Sequence, residues 1–497
     1  MKSTHLKRLS NDAMPVPVGS AIGSSLPLCV DLDGTLIATD SLWECILVLI
    51  KKRPQALISI FLWMLRGKAF FKKRIAEVAQ LECEHLPYRN ELLQYLRAQR
   101  ERGRTLVLAT AADSLVAESV AKHLGFFDIV MSSDGERNLN GQAKARALVE
   151  SFGSRGFDYI GNSSADLPVW AEAHAALIVS ENGSAWLPRQ AGKRTPVEKV
   201  FAVPSVGIRS VVRAMRLYQW IKNLLIFVPL VLAHRFRESD LLLTEVWAFI
   251  AFGCCASGLY ILNDLFDLTA DRQHPRKRRR PFAAGEISIP AGLGMAAGLI
   301  CGSMALAIGT LPIEFTLILI CYMVATNVYT FYARRVPVLD VMTLAGLFTI
   351  RVLAGGVAVN IPLSSWLLAF SMFMFLSLAF MKRYTELGVW QESGSKHASG
   401  RGYLHTDREW LASVGTAAGY LSVLVMALYI NGSEEKALYQ RPAVLWVLCP
   451  LLLFWITRLW FLANRRLLVD DPIEAAAKDK GSYAVGLAMF LAWWYAM

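Results

Sequence analysis

Three carboxylates stand close together at residues 263–271, where the chain reads NDLFDLTAD after a strongly apolar stretch. Asp264, Asp267 and Asp271 are three and four residues apart, a spacing that predicts one shared helix face. Neighbouring carboxylates repel each other, and a bound divalent cation is the usual remedy. A cation held by carboxylates commonly binds a phosphorylated substrate. The motif therefore predicts a metal and phosphate site beside a membrane.

A basic run at 276–280, RKRRR, follows a turn or two beyond these acids. It could hold the rest of a phosphorylated substrate. The alternative is that the acids only offset the basic run at a helix end. That arrangement would not require three acids on one face, so the substrate site is favoured.

A second group of candidate residues lies in the first third of the chain. The apolar strand Leu26–Val30 is followed by DLDGT, which places Asp31 and Asp33 at the carboxyl end of a predicted parallel strand. Ligands bind there in α/β folds. One carboxylate can attack phosphorus while the other moves protons. The alternative, an Asp–Gly turn that only begins a helix, is disfavoured because polar groups follow the neighbouring strands too.

These further polar groups are Thr110 after the strand Thr105–Ala109, Lys144 on the next helical stretch, and Asp166 after a third strand at 157–160. Helical patterns between the strands predict a parallel α/β sheet. The apolar stretch Ile46–Leu65 is broken by KKRP at 51–54, and each piece is too short to cross a bilayer. A buried helical hairpin is favoured there over a cap that rests on the membrane.

Apolar segments dominate the chain beyond residue 206. A basic amphipathic helix suited to the headgroup level is predicted over Ile208–Asn223. About nine membrane-spanning segments are expected, centred near residues 229, 252, 300, 322, 348, 373, 422, 453 and 489. Lys and Arg concentrate in alternate loops, so the α/β domain and the acidic motif are expected in the cytoplasm and the C-terminus outside.

The composition narrows the classes of function. The 497 residues are 54% hydrophobic with a formal charge of +12, and the basic residues cluster beside apolar segments, so no nucleic-acid binding is expected. Eight scattered cysteines without a C-x-x-C pair predict neither a zinc site nor a disulfide framework. No apolar stretch precedes Pro15 and Pro17, so no signal peptide is expected.

DLDGT with Thr110, Lys144 and the late acidic motif resembles the haloacid dehalogenase (HAD) superfamily, over roughly residues 26–185. The resemblance implies a Rossmann-like parallel sheet with a small helical cap. It implies that Asp31 is the nucleophile and Asp33 the general acid and base. Thr110 and Lys144 would hold phosphate.

The same resemblance implies Mg²⁺ on Asp31 and Asp166. The family's late motif usually begins Gly-Asp, whereas here it is Gly161-Asn162. Asn162 can still offer a carbonyl oxygen to the metal, but one negative charge is lost. An active phosphatase and a weakened or regulatory domain both remain open.

The motif at 263–271 resembles that of the UbiA superfamily of intramembrane prenyltransferases, over roughly residues 208–497. The resemblance implies an all-α bundle that binds diphosphate through Mg²⁺. Family members carry a second acidic motif after the fourth span, but the matching region here has only Asp340. Arg351 follows on nearly the same helix face. An arginine within a span needs a partner or an anionic ligand, so Arg351 is either half of a structural ion pair or a substrate ligand.

Four segments resemble a narrower branch, the bacterial decaprenyl-phosphate phosphoribosyltransferases. They are YQWIKN at 218–223, DRQHPRKRRRP at 271–281, KRYTEL at 382–387 and DDPIE at 470–474. The implied reaction transfers 5-phosphoribose from 5-phosphoribosyl diphosphate to a polyprenyl phosphate. The candidate phosphate ligands are Lys222, Asn223, Asn263, Arg278, Arg280, Asp340, Arg351, Lys382 and Arg383. The basic ones could equally be bilayer anchors, and His274 is expected to be positional.

The predicted organisation is a disordered tail (1–25), a HAD-like domain (26–185), a linker (186–206) and a UbiA-like membrane domain (207–497). The fusion suggests consecutive steps at a bacterial inner membrane. The bundle would make polyprenyl-phosphoryl 5-phosphoribose, and the HAD domain would remove the 5-phosphate. The alternatives are an aromatic or quinone-type prenyltransferase with an accessory HAD domain, and a non-enzymatic lipid-binding or transport bundle. A homo-oligomer is left open.

Overall fold

The structure is a computed structural model that describes residues 7–8, 25–53, 55–182, 184–392, 402–432, 439–468, 472–476 and 479–497. The chain forms two compact units. One comprises Met1–Met215 with Tyr260–Ala296, and the other comprises Arg216–Leu259 with Ala297–Met497. Most of the predicted tail, and Asp470 and Asp471 of the DDPIE segment, lie outside the described residues.

A seven-stranded sheet forms the centre of the first unit. Its strands are β1 (Lys7–Arg8), β2 (Leu28–Val30), β3 (Leu106–Asp113), β4 (Ile129–Ser133), β5 (Asp158–Gly161), β6 (Ala176–Glu181) and β7 (Val197–Val203). Their order is β1-β4-β3-β2-β5-β6-β7. Strands β2 to β7 are parallel, and β1 pairs antiparallel with β4. The predicted α/β sheet is confirmed.

The sheet extends beyond the predicted domain boundaries at both ends. Lys7–Arg8 forms a strand within the predicted disordered tail. The predicted linker contains a helix, Trp186–Gly192, and the edge strand β7. The Pro, Gly and Ser content around 182–206 indicated a linker, but VEKVFAV at 197–203 contains three valines and a phenylalanine, residue types that favour a strand.

Helices of this unit cover the sheet and form its cap. They are α1 (Ser41–Lys52), α2 (Ala56–Met64), α3 (Lys68–Ala79), α4 (Asn90–Glu101), α5 (Ser114–Leu124), α6 (Gly141–Phe152), α7 (Leu167–Glu172), α8 (Trp186–Gly192) and α9 (Ile208–Met215). The cap helix α1 begins where the Asp40 carboxylate accepts hydrogen bonds from the Leu42 and Trp43 amides. The cap is not the buried hairpin predicted, because α2 exposes large apolar side chains such as Phe61.

The remaining helices are mostly long and apolar. They are α10 (Val228–Leu232), α11 (Ser239–Phe266), α12 (Leu268–Gln273), α13 (Ile289–Thr310), α14 (Ile313–Phe331), α15 (Leu339–Ala358), α16 (Ser365–Glu392), α17 (Arg408–Asn431), α18 (Leu448–Asn464), α19 (Pro472–Ala476) and α20 (Lys480–Ala496). The helix predicted over Ile208–Asn223 ends at Met215, and a 3₁₀ helix follows over Leu217–Phe227.

Seven helices in the part of the chain that the structure describes are long and apolar enough to cross a membrane. The pair Ile208–Met215 and Leu217–Leu232 makes an eighth if it forms one span. The predicted count of nine is not confirmed; the remaining predicted segment, near residue 489, is the helix α20, which has 17 residues and lies at the short end of the spanning range. The all-α, multi-pass character of this region is confirmed.

Close helix packing in the second unit depends on Gly355 in α15. A Cβ at this position would stand 1.8 Å from the carbonyl oxygen of Ile226, so only glycine lets the 3₁₀ helix approach. This approach brings Asn223, on the 3₁₀ helix, to Arg351, on α15.

Candidate functional site

Lys144 joins the two acids predicted at the α/β site. Its Nζ lies 2.9 Å from Asp31 Oδ1 and 3.7 Å from Asp166 Oδ1. Tyr159 completes the network, because its hydroxyl accepts a hydrogen bond from Lys144 at 2.8 Å and donates one to Asp166 at 2.9 Å. All four side chains are buried. Asp31 directly follows β2, and its amide donates to Ile160 of β5, so two neighbouring strands fix its backbone.

Burial shifts the pKa of both acids in DLDGT. It raises the pKa of Asp31 to about 6; Lys144 opposes this rise and the charge of Asp166 adds to it. Burial also raises the pKa of Asp33 to about 7, together with the charge of Asp40. Burial alone would lower the pKa of Lys144, but the charges of Asp31 and Asp166 raise it. A carboxyl group that exchanges its proton near neutral pH can act as acid and base.

Asn162 lies against the DLDGT loop. Its Oδ1 accepts a hydrogen bond from the Thr35 hydroxyl at 3.1 Å. A Cβ on Gly34, whose φ is +72°, would stand 2.2 Å from Asn162 Nδ2, so glycine is required both for the backbone conformation and for this contact. Thr110 is fully buried on β3 beside β2, and its hydroxyl accepts from the Ala112 amide at 3.0 Å.

A small cavity of about 50 Å³ opens beside Asp33, between the sheet and the cap. The Ser41 amide at the start of α1 donates to Asp33 Oδ1 at 2.7 Å. Lys72 of α3 also lines the cavity, and its Nζ donates to the Ala111 carbonyl at 2.7 Å and to Asn138 Oδ1 at 3.1 Å. The cap thus places a second lysine beside the predicted phosphatase acids.

Oxygen donors at the α/β site suit Mg²⁺, which keeps several waters and commonly takes one or two carboxylates plus a substrate phosphate. Asp31 and Asn162 stand on adjacent strand ends and offer a carboxylate and an amide oxygen. Asp166 differs from the prediction in its surroundings. Its Oδ2 accepts hydrogen bonds from the Asn162 amide and from the Ser163 amide and hydroxyl, so both its oxygens are already engaged.

The helix predicted to carry the acidic motif is interrupted within the motif. Helix α11 ends at Phe266, Asp267 stands at the junction, and α12 begins at Leu268. Asp267 contacts Lys51 of α1, whose Nζ donates to Asp267 Oδ1 at 2.9 Å and to the Phe266 carbonyl at 2.8 Å. Lys51 thus binds Asp267 at the point where the helix is interrupted, and a local helix pattern does not predict a partner so distant in sequence.

Asp264 and Asp271 share one guanidinium group. Nη1 of Arg280 donates to Asp264 Oδ1 at 3.0 Å and to Asp271 Oδ2 at 2.7 Å. Burial raises the pKa of Asp271, Asp264 adds to the rise, and Arg280 opposes it. The two buried carboxylates therefore face one cation position, which Arg280 fills. In the described residues no three His, Cys, Asp or Glu side chains form a metal-binding group.

A second ion pair joins α1 to the motif within the same unit. Glu44 binds Arg272 through both carboxylate oxygens, at 2.6 and 3.1 Å, and both side chains are buried. Glu44 also accepts a hydrogen bond from Thr39, which follows DLDGT, at 2.7 Å. Helix α1 therefore contacts Asp33 through its first residue and Asp267 through Lys51.

Arg351 is buried in the second unit among neutral partners. Its Nε donates to Asn223 Oδ1 and its Nη2 to the Tyr322 hydroxyl, each at 3.0 Å, and its Nη1 donates to the Leu347 carbonyl. The rings of Phe252, Tyr322 and Phe348 lie within 5.5 Å of the guanidinium carbon. The structural ion pair weighed for Arg351 is absent from the described residues.

Lys222 stands beside this arginine. It is buried, and its Nζ lies 5.7 Å from the centre of the Phe348 ring, which Arg351 also contacts. Two buried cations thus lie against one aromatic ring, and one of them, Arg351, donates to the Asn223 amide oxygen. Buried charges in apolar surroundings are costly and mark ligand sites.

Asp340 and Arg383, both predicted as phosphate ligands, bind each other instead. The Arg383 guanidinium pairs with Asp340 and, at 2.7 Å, with Glu386, and it also donates to the Tyr329 hydroxyl at 2.7 Å. Tyr403 donates to the second Asp340 oxygen at 2.6 Å. Asp340 and Arg383 thus form a buried ion pair, an arrangement that was not among the alternatives considered for Arg383.

The structure also places the four remaining candidates of this region. Lys382 and Asn263 are half-buried, and Arg278 is exposed at a cleft of about 620 Å³ that Arg89 and Arg272 also line. His274 Nδ1 accepts from the Arg276 and Lys277 amides at 3.2 and 3.4 Å, which fits the positional role expected of it.

Tyr159, Lys72 and Lys51 are the site residues that the sequence did not predict. Tyr159 lies in an apolar strand, where it looks like an ordinary core residue, and the other two lie in the cap. The KKRP break at 51–54 was the one signal available for Lys51.

Family models match both parts of the chain. The haloacid dehalogenase-like hydrolase model matches residues 28–171, and the UbiA prenyltransferase family model matches residues 224–471. The chain belongs to the UbiA prenyltransferase family and carries a HAD-like domain at its N-terminus.

Similar proteins match either nearly the whole chain or a little more than half of it. An uncharacterised protein of Sinorhizobium fredii, y4nM, is 37% identical over 95% of this chain and 91% of its own length. The nodulation protein NoeC of Azorhizobium caulinodans is 37% identical over 56% of this chain and 91% of its own. The decaprenyl-phosphate phosphoribosyltransferase of Corynebacterium glutamicum is 32% identical over 56% of this chain and 83% of its own. The chain is thus related to the phosphoribosyltransferases.

Proposed function

We propose that the bundle transfers 5-phosphoribose from 5-phosphoribosyl diphosphate to a polyprenyl phosphate, and that the α/β domain removes the 5-phosphate. The observation that carries the transfer is the pair of buried carboxylates, Asp264 and Asp271, converging on one cation position. The name of the Corynebacterium relative supports the choice of substrates. Positive-inside charge placement supports a cytoplasmic position for both sites, in a bacterial inner membrane.

The transfer replaces one bond at the ribose anomeric carbon. An oxygen of the lipid phosphate attacks this carbon, and the bond to the diphosphate oxygen breaks, so diphosphate leaves with the electron pair. Arg280 would turn from the carboxylates to a donor phosphate, because guanidinium groups match phosphate oxygens. Arg351, Lys222 and Asn223 would hold a substrate phosphate inside the bundle. Lys51 would keep Asp267 in place.

Mg²⁺ would be held by Asp264 and Asp271 in the bundle and by Asp31 and Asn162 in the α/β domain. When bound, it neutralises phosphate charge and eases departure of the leaving group. Asp166 would act through Lys144 and the loop that it holds, rather than as a metal ligand.

In the second step, Asp31 attacks the phosphorus of the 5-phosphate and forms an aspartyl phosphate. The phosphorus–oxygen bond to the ribose breaks, and Asp33 protonates the released ribose oxygen. Asp33 then takes a proton from water, and the water oxygen attacks the same phosphorus. The bond from phosphorus to the Asp31 oxygen breaks, so inorganic phosphate is released and the Asp31 carboxylate is restored. Throughout these steps the Lys144 ammonium would stay beside Asp31 and offset the negative charge of its carboxylate and of the phosphate that it carries.

A two-donor assay tests the transfer. Purified full-length protein is incubated with Mg²⁺ and polyprenyl phosphate plus labelled 5-phosphoribosyl diphosphate, or with labelled prenyl diphosphate plus an aromatic acceptor. The proposal expects label from the first donor in the lipid fraction. Product from prenyl diphosphate alone would identify an aromatic or quinone-type prenyltransferase. Unchanged function with Asp264→Asn and Asp267→Asn would identify a non-enzymatic bundle.

A further inference from the structure

Helix α2 of the cap carries large apolar side chains on its outer side. Ile58 is 72% exposed, Phe61 64%, Leu62 55% and Met64 59%, and Leu65 just beyond the helix is 71% exposed. We call these five residues the α2 apolar face. A contiguous exposed apolar surface of this kind marks a site of protein or membrane interaction.

The other side of α2 is packed in the domain core. Ala56 is buried, and Ile60 and Trp63 pack against the core cluster that contains β2. The helix, ALISIFLWM, is therefore apolar on both sides, with Ser59 as its only polar residue. A helix apolar all round belongs in apolar surroundings on every side, and the protein supplies them on one side only.

Basic residues stand on both flanks of this helix. Lys52 and Arg53 precede it, Arg66 and Lys68 follow it, and all four are exposed. The sequence has no acidic residue between Glu44 and Glu77. An apolar face bordered by Lys and Arg is the pattern of a helix that lies at the headgroup level of an anionic bilayer.

A contact within the first unit places α2 near a membrane boundary. Lys51 Nζ donates to the carbonyl of Phe266, the last residue of the membrane-crossing helix α11. Helix α2 begins at Ala56, five residues after Lys51. Five residues of extended chain reach at most roughly 18 Å, so α2 begins close to the end of a span.

We propose that the α2 apolar face inserts into the headgroup region of the leaflet at which α11 ends. The occupant is the lipid surface, because basic flanks match anionic headgroups and because the chain itself anchors this cap beside a span. The cap of the α/β site would then rest on the bilayer. This placement would bring the site to substrates that are attached to lipid.

Photo-crosslinking tests the proposal on the full-length protein. The benzophenone amino acid p-benzoylphenylalanine is placed at Phe61, and the matched control carries it at Leu115, a 49% exposed leucine at the start of α5. Both proteins are irradiated in bilayers of phosphatidylcholine with phosphatidylglycerol, and adducts are identified by mass spectrometry. Lipid adducts are expected at position 61, with few at position 115.

Other adducts at position 61 would overturn the proposal. A peptide of the same chain would identify an internal partner, a dimer adduct would identify a second copy, and equal lipid capture at both positions would show non-specific reaction. A second variant tests the charge argument. With Arg66→Glu and Lys68→Glu, lipid capture at position 61 should fall, and unchanged capture would contradict the attraction to anionic lipid.

Discussion

Each of the two sites has two carboxylates bridged by one cation, but the bridges differ. Lys144 lies between Asp31 and Asp166, is 3% exposed, and is also held by Tyr159. Arg280 lies between Asp264 and Asp271 and is 29% exposed. The buried lysine is a permanent part of its site. Arg280 is open to water and to a ligand, so the proposed function assigns a fixed bridge to the α/β site and a displaceable bridge to the acidic motif.

The largest expected effect separates the two sites by activity. Asp264→Asn and Asp271→Asn each remove one of the two carboxylates that converge on Arg280, so phosphoribosyl transfer should fall by about a hundredfold or more, as for loss of a key electrostatic group. Transfer to polyprenyl phosphate is the readout. Hydrolysis of a small phosphate ester at the α/β site is the control and should persist; its loss would mean that the substitution unfolds the shared unit.

Replacing each bridging cation by methionine compares the two bridges directly. Lys144→Met leaves two buried carboxylates together, so strands β2 and β5 should lose about 3–5 kcal/mol of opening free energy. Arg280→Met also leaves two buried carboxylates together, but water reaches this partly exposed bridge, so α12 should lose less opening free energy than β2 and β5. Amide hydrogen exchange of the full-length protein measures both. Equal losses would remove the distinction between a fixed and a displaceable bridge.

Measuring divalent-cation binding without substrate tests whether Arg280 and a metal ion compete for the same carboxylates. Arg280→Gln removes the internal competitor for Asp264 and Asp271. Mn²⁺ should then bind roughly fivefold more tightly, the equivalent of about 1 kcal/mol for a partly exposed ion pair. Electron paramagnetic resonance counts free Mn²⁺. In a variant that also carries Asp264→Asn the gain should disappear, and a gain that remains would place the ion elsewhere.

The smallest expected effect concerns the contact between the cap and the motif. Lys51→Ala frees Asp267, and transfer should fall about two- to fivefold, the scale of a partly exposed ion pair. Lys51→Arg should recover most of the rate by restoring the charge. Equal rates in all three proteins would show that the pair does not position the motif.

Residue types and spacing predicted the spatial arrangement of the α/β site better than that of the acidic motif. DLDGT, Thr110 and Lys144 follow successive strands of a parallel sheet, so topology alone brings them to one edge. The acidic motif was predicted as one helix face, and the break at Asp267 involves Lys51, 216 residues away in sequence. Local periodicity contains no information about such a partner.

The sequence also did not predict which buried charged side chains pair with each other. Asp340 and Arg383 have residue types suited to a substrate site, yet they neutralise each other. Arg351, in the same helix as Asp340, has neutral partners instead. Choosing between these outcomes requires knowing which helices are neighbours, and apolar segments of similar length do not specify this.

A donor labelled both in the ribose carbons and in the 5-phosphate tests the central claim of two consecutive sites. Wild-type protein should give a lipid that keeps the ribose label and has lost the 5-phosphate label, which appears as inorganic phosphate. Asp31→Asn, with transfer intact, should give a lipid that keeps both labels. If wild-type lipid keeps both labels, or if neither label enters the lipid, the account is contradicted.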